Sequence, residues 1–561
     1  MDFTSTQVQA LTTTQISSLS TTQISGISAA TLALLTTSQL QALSTAQIPV
    51  IGTAALNALT STVLGNLTTT QVDALSTGQI ASLTATVLDK FSTTDVAALT
   101  TTQLGSITTA TLNSLASNIL GALTTTQVDA LTTGQISGLT AATLGHFTTT
   151  DIAALTTTQL GVISTTNLNA LTSTVLGALT TTQVDALTTH QIGGLAATTF
   201  SKFTTTEIAA LTTTQLGAIT TATLNTLTST VLGALTTTQV DALTTSQIGG
   251  LTAATIGHFT TTDIAALTTS QLGAITTATL NTLTSTVLGA LTTTQVDALT
   301  TSQISGLAAA TYGHFTTTAI AALTTTQIGA ISTSALNSIT SNILGALTTT
   351  QVDALTTHQI AGLAAATLGH FTTTDIASLT TTQLGAITTA TLNTLTSTTL
   401  GALTTTQVDA LTTSQIAGLS VATVGHFTTT QIASLTTTQL AAVGTATLNG
   451  LTSTTLGALT TTQVNALTTS QIAGLAGSTI SKFTTTDIEA LTTTQLVAIT
   501  STNIKTLAST SIVALTTTQI DALTTTQLTA FSASQAAAIT TTQLVTLSTA
   551  QIGVLLGLGT K

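Results

Sequence analysis

Apolar residues return every eight positions along this chain, in one unbroken phase. From Phe3 through Leu11, Leu19 and Ile27 to Leu555, each eighth residue is Leu, Ile, Val or Phe, seventy positions without an insertion or deletion. The unit reads L-T-T-T-Q-[IVL]-x-[AGS], as in Leu123-Thr124-Thr125-Thr126-Gln127-Val128-Asp129-Ala130. A strict short period marks a repeat array, so architecture has to be read before any site. Within the octad the apolar positions are 1 and 6, one odd and one even, which breaks strand alternation. A helix start fits instead. Thr at position 2 with Gln at position 5 is a capping box, and the residues at positions 1 and 6 occupy the two places of a hydrophobic staple. With Thr124 as N-cap, Gln127 is N3, Leu123 is N′ and Val128 is N4.

The pattern predicts an all-α solenoid of tandem short capped helices, one per eight residues. Each helix spans about six residues, roughly 9 Å. That is far below the ~12–15 residues that are marginally stable alone, so only stacking can hold one. A β-solenoid is the competing reading, because Thr, Val and Ile favour strands. Octads without the position-5 Gln, such as Leu227-Thr228-Ser229-Thr230-Val231-Leu232, look the most strand-like. Three octads per coil would make a triangular prism. At ~8–10 Å per coil, about 23 coils would span about 200 Å.

A longer period overlies the octad. Phe fills position 1 at residues 91, 147, 203, 259, 315, 371, 427 and 483, each spacing being seven octads. Asp73, Asp129, Asp185, Asp241, Asp297, Asp353 and Asp409, followed by Asn465 and Asp521, keep the same spacing. Three regions follow: an N-terminal octad flank (1–66), eight 56-residue superrepeats (67–514) and a C-terminal octad flank (515–561). Seven is not a multiple of three, so on a three-octad prism the Phe octads would walk around the faces; they would line up on one face only if a coil held seven or 3.5 octads. The seven-octad period then reads mainly as a record of duplication.

Charge narrows the function. Only 4% of the residues are charged, the net charge is −12, and the five cationic residues are Lys90, Lys202, Lys482, Lys505 and Lys561, with no Arg. Such a surface cannot displace counterions from nucleic acid and does not suit anionic membranes. No apolar run approaches the length of a membrane span, roughly 18 residues or more. The start, Met1-Asp2-Phe3-Thr4, lacks the basic and apolar regions of a cleavable secretory signal. The chain has no Cys, which removes disulfides and thiolate chemistry.

The titratable residues form no catalytic pattern. His146, His258, His314, His370 and His426 precede a Phe at position 8, where other superrepeats carry Lys90, Lys202 and Lys482. A place that accepts either His or Lys is not a metal-ligand set. His190 and His358 fall at position 4, a solvent-facing helix place. The Asp series is isolated among Thr and lacks the several oxygens of a calcium loop. Asp95, Asp151, Glu207, Asp263, Asp375 and Asp487 stand at position 5, where a carboxylate favours the helix start. Asp487 with Glu489, and Asp89 near Asp95, are the only close acidic pairs in the superrepeats. No nucleophile elbow, P-loop or dinucleotide fingerprint occurs. We expect no enzyme activity, no catalytic, cofactor-binding or metal residues, and no cofactor.

The L-T-T-x-Q-[IVL]-x-[AG] octads resemble the Thr-rich tandem repeats of large bacterial secreted or surface proteins of the adhesin and stalk kind. The resemblance spans essentially the whole chain and implies an extracellular structural role. The nonapeptides of calcium-binding adhesins are absent. The expected function is a stiff extracellular rod, presented without a cleavable N-terminal signal, that polymerises end to end through apolar cross-sections. The alternatives are a binding module whose Thr ladders recognise carbohydrate, ice or another regular surface, and an intracellular scaffold. The expected partners are further copies of the chain or a carbohydrate or cell-surface partner, with no nucleic acid and no membrane span.

Overall fold

The computed structural model describes residues 4–558; Phe3 and Lys561 lie outside them. Among the described residues there are sixty-eight short α-helices, one 3₁₀ turn and no strand. The octad as a helix start is realised throughout. Thr124 sits in extended backbone (φ −79°, ψ 156°), and its hydroxyl accepts from the N–H of Gln127. Gln127 Oε1 accepts from the Thr124 N–H at 2.8 Å. The helix then runs Thr125–Asp129. It stops because the Leu131 N–H turns back to the Val128 carbonyl at 3.2 Å and the chain extends into the next cap. Octads without Gln also start helices, some with a side-chain cap, as where Thr228 caps Ser229–Leu232 through the Val231 N–H, and some without one, as at Thr84 and Ala116. Thr is a weak helix former but a strong N-cap, so its position outweighs its strand propensity. Pro49 lies in the 3₁₀ turn Ile48–Val50, where a missing N–H costs little. The apolar tract near Gly553–Leu558 forms the end of the longest helix, Thr549–Leu558.

The two staple residues make the core. Val128 is fully buried and Leu123 is 7% exposed, and the Phe of each superrepeat takes the Leu place. Where position 5 is apolar, as at Val87, Ile119, Val231 and Ile343, that side chain is buried too.

The chain divides into two compact units between Ile275 and Thr276. Within each, contacts run between octads one coil apart, and their register corrects the three-octad prism. Gln71 Nε2 donates to residues 28 and 31 positions back, Leu43 and Leu40, at 2.9 Å each. Asn57 Nδ2 donates forward across 25 residues to Ser82, and Ser106 Oγ donates back across 29 to Thr77. These offsets bracket 28 residues, or 3.5 octads per coil. The half octad has a chemical cause. With whole octads per coil, each Gln would face another Gln. The half-step places it opposite the junction between two helices, where the carbonyls lack the partners a continuing helix would supply.

Seven octads therefore close two coils, and the seven-octad superrepeat is the smallest stretch that returns an octad to the same face. In the unit ending at Ile275, Phe91, Phe147, Phe203 and Phe259 recur at one angular place, two coils apart. The period read as duplication is also the geometric repeat of the solenoid.

Candidate functional site

Short helices leave most of their backbone groups unpaired: four N–H at each start, four C=O at each end. Their satisfaction is the main chemistry of this molecule. Gln at position 5 serves both ends at once. Gln127 Oε1 holds its own helix start, while Nε2 donates to Val96 and Leu99, the carbonyls ending a helix one coil back, at 2.9 and 2.7 Å. Gln127 is 3% exposed, as are most of its equivalents. The capping box accounts for Gln at its own helix alone; the second role needs the coil register and is invisible within one octad.

Asn at position 7 escapes the octad pattern altogether. It makes the matching clasp in the opposite direction. Asn225 Nδ2 donates to the Gly250 carbonyl at 2.9 Å, and its Oδ1 accepts from the Thr252 N–H at 2.9 Å and the Thr255 hydroxyl at 2.8 Å. Asn113, Asn169, Asn281, Asn337 and Asn393 repeat the bond to the helix end one coil ahead. Asp89 does part of this work, accepting from the Ala116 N–H at 2.9 Å. The available signal is the Asn series itself, which recurs every seven octads and has a Gly three octads and one place further on. Replacing Asn225 by Leu removes two exposed bonds, to Gly250 and Thr252, and one to the buried Thr255 hydroxyl, which keeps its contact with Thr252 Oγ1 at 2.8 Å. We expect a loss of about 1–2 kcal/mol, since a typical hydrogen bond contributes about 0.5–1.5 kcal/mol and exposed groups regain water. Local hydrogen exchange at residues 250–255 measures it.

The Gly partners show why that place is glycine. A Cβ on Gly138, Gly194, Gly250, Gly306, Gly362, Gly418 or Gly474 would lie 2.5–2.6 Å from the Cγ2 of a Thr in the neighbouring coil. No described residue has positive φ, so these glycines serve close approach and not a special backbone conformation.

The titratable residues fall into this scheme. Lys90 and Lys482 Nζ donate to the carbonyls of Leu59 and Leu451 at 2.7 and 2.6 Å, and Lys202 Nζ reaches Leu171 and Asn169. The position-8 lysines are coil clamps. His146 and His370 at the same place are exposed, while His258, His314 and His426 are half-buried. In those three, Nδ1 is buried without a hydrogen-bond partner. Within a unit, successive residues of the combined His and Lys series at position 8 stand two coils apart and do not converge. His190 and His358 are exposed on their helices. Asp151 is buried, and its Oδ2 accepts from the Thr148 N–H and hydroxyl at 2.9 and 2.6 Å. Asp95, Asp263, Asp375 and Asp487 hold the same cap. Asp73, Asp129, Asp185 and Asp241 are exposed at helix ends. Asp487 is buried and Glu489 exposed, so that pair shares no site. Among the described residues no group of three or more His, Cys, Asp or Glu could hold a metal ion. No helix there is long and apolar enough to cross a membrane.

Interior space is minimal. The gap enclosed by Leu88, Phe91, Leu104, Leu120 and neighbouring apolar residues is about 10 Å³, barely the room of one water. Larger hollows of about 420 and 330 Å³ lie in the first and last described coils, lined by residues such as Val8, Ile16 and Leu19, and Ala536, Leu544 and Ile552.

The Thr surface also differs from its expected form. Gly138, at position 8, packs on Thr109, at position 3 of the coil behind. The half-octad step thus sets Thr pairs of one coil beside positions 7 and 8 of the next. Thr125 and Thr126 fall opposite Ala153 and Ala154, one coil length on. Hydroxyl rows recur on alternate coils instead of forming continuous ladders.

A search of the curated proteins found no match to this chain. Three of its segments, residues 48–85, 161–197 and 385–421, match the model of the ALTTAQ repeat. The chain is a repeat protein, similar in those segments to the ALTTAQ repeat.

Proposed function

We propose that the chain is a non-enzymatic structural protein: a stiff rod of stacked coils displayed outside a bacterial cell, which extends end to end by adding copies of itself. The supporting observation is the polarity of the clasp. The buried Gln residues point their amides to the coil behind and find helix-end carbonyls there, as at Gln71, Gln127 and Gln383. Each coil therefore presents buried Gln amides to the coil behind and helix-end carbonyls to the coil ahead, with the exposed Asn clasps running the other way, so its two faces differ and complement each other. Two copies meeting through such faces repeat the internal contact, a heterologous contact that does not close on itself. The staggered Thr pairs give no separate support to recognition of ice or carbohydrate by a continuous ladder.

Sedimentation velocity over a concentration series, with negative-stain imaging of the same samples, tests the reading. We expect unbranched particles that lengthen in steps of one chain as concentration rises. A single species at every concentration would remove the end-to-end part of the proposal. Protease shaving of intact cells tests display: loss of the chain while cytosolic proteins survive is expected, and full protection would contradict it.

A further inference from the structure

One position-5 residue departs from the Gln and Asp pattern in a way that changes its chemistry. Glu207 matches Gln in length, whereas Asp is one methylene shorter and stays on its own cap. Glu207 is 3% exposed. Its Oε2 accepts from the Thr204 N–H at 2.6 Å, as a Gln Oε1 does. In the register of the series, the atom that is Nε2 in Gln faces two carbonyls, 31 and 28 residues back; for Glu207 these belong to Leu176 and Leu179. At the next such seat, Gln215 Nε2 stands 2.9 and 2.7 Å from the carbonyls of Val184 and Leu187. A carboxylate oxygen there would meet two acceptors with no proton between them.

We propose that Glu207 is held as the neutral acid and donates its carboxyl proton into the Leu176–Leu179 seat, making this junction a pH-operated joint where the other clasps of this kind use a Gln amide. Ionisation removes the donor, sets like charges together, and opens the contact between the helix Thr205–Ala210 and the coil behind it.

The surroundings agree. The helices Thr181–Asp185 and Ser229–Leu232 pack against Thr205–Ala210. The first carries Asp185, exposed at its end, and the second has no charge. Lys202 is the nearest lysine in the chain, and its Nζ is committed to Leu171 and Asn169. Burial pushes the Glu207 carboxyl above the ordinary carboxylate range, against the opposing pull of its Thr204 hydrogen bonds. With the folded value raised, the stabilisation is complete below the ordinary carboxylate range and is lost as the pH rises through the raised value.

The chain has two glutamates, Glu207 and Glu489, so selective ¹³C-carboxyl labelling yields two resonances, with exposed Glu489 as internal reference. Glu207→Gln assigns them by removing one. We expect the Glu207 carbon to titrate at distinctly higher pH than Glu489. Protection factors at residues 176–180 and 204–211 should fall at least tenfold across that titration in the native chain and stay constant in Glu207→Gln. If both carbons titrate together, or if the native chain and Glu207→Gln share one protection profile, the proposal is overturned.

Discussion

Gln383→Ala is expected to lower local stability by about 3–5 kcal/mol, among the largest losses for a single polar side chain in this molecule. Gln383 is 2% exposed. Its Nε2 donates to Val352, Asp353 and Leu355 at 3.0, 3.0 and 2.6 Å, and its Oε1 accepts from the Thr380 N–H at 2.8 Å. Truncation orphans both a helix end and a helix start. Each buried unpaired group costs about 1–3 kcal/mol, and the cavity left by the side chain adds to that. Nothing local compensates, because so short a helix has no independent stability. The neighbouring Thr382 is exposed, so Thr382→Ala should stay within about 0.5 kcal/mol. Hydrogen exchange is the appropriate readout, since a repeat array opens coil by coil and a single global unfolding energy is poorly defined. Equal protection at residues 352–356 and 380–386 in Gln383→Ala and Thr382→Ala would contradict the bridge.

Two glycine substitutions should have opposite signs. Gly250→Ala places a Cβ 2.6 Å from Thr221 Cγ2 and 3.4 Å from the Ser246 carbonyl. Overpacking of this kind costs about 1–3 kcal/mol, and the same movement strains the clasp of Asn225. Gly217, at the end of the helix Thr213–Gly217, has no atom within 4 Å of the place a Cβ would take. Gly217→Ala should therefore stabilise by about 0.5–1 kcal/mol through helix propensity and reduced freedom of the unfolded chain. Thr221→Ser removes the offending methyl and keeps the hydroxyl, so it should rescue most of Gly250→Ala; a double-mutant cycle reads that coupling directly. Additive effects of the two changes would show that the coils do not meet there.

The octad's own structure was legible because its signals are local. Thr124 with Gln127, and Leu123 with Val128, lie within one octad and its first turn, and both pairs take the places the spacing predicts. The coil was not legible from an octad, because 3.5 octads is a relation between distant segments. It becomes visible only when Gln127 is seen to reach Val96 and Leu99. The sequence did contain a trace of it. Asn225 precedes Gly250 by three octads and one place, and both series repeat every seven octads, which is the period of two coils. The His and Lys residues were recognised as interchangeable at position 8. Why Lys is tolerated follows from the carbonyl it meets, Leu59 for Lys90, a partner no local pattern names.

The clasps, the recurrence of Phe at one angular place and the proposed self-extension all rest on the coil of 3.5 octads, and paired cysteines probe that register. The chain has no Cys, so introduced thiols have no competitors. A Cβ on Gly362 lies 3.6 Å from Thr333 Cβ, within the range of about 3.5–4.5 Å for a disulfide. Thr333→Cys with Gly362→Cys is expected to close an intramolecular disulfide under mild oxidation, seen by intact mass and peptide mapping. Thr333→Cys with Thr357→Cys, the pair three octads apart, is expected to remain reduced. Ready closure of the second pair, with the first left open, would contradict the half-octad coil.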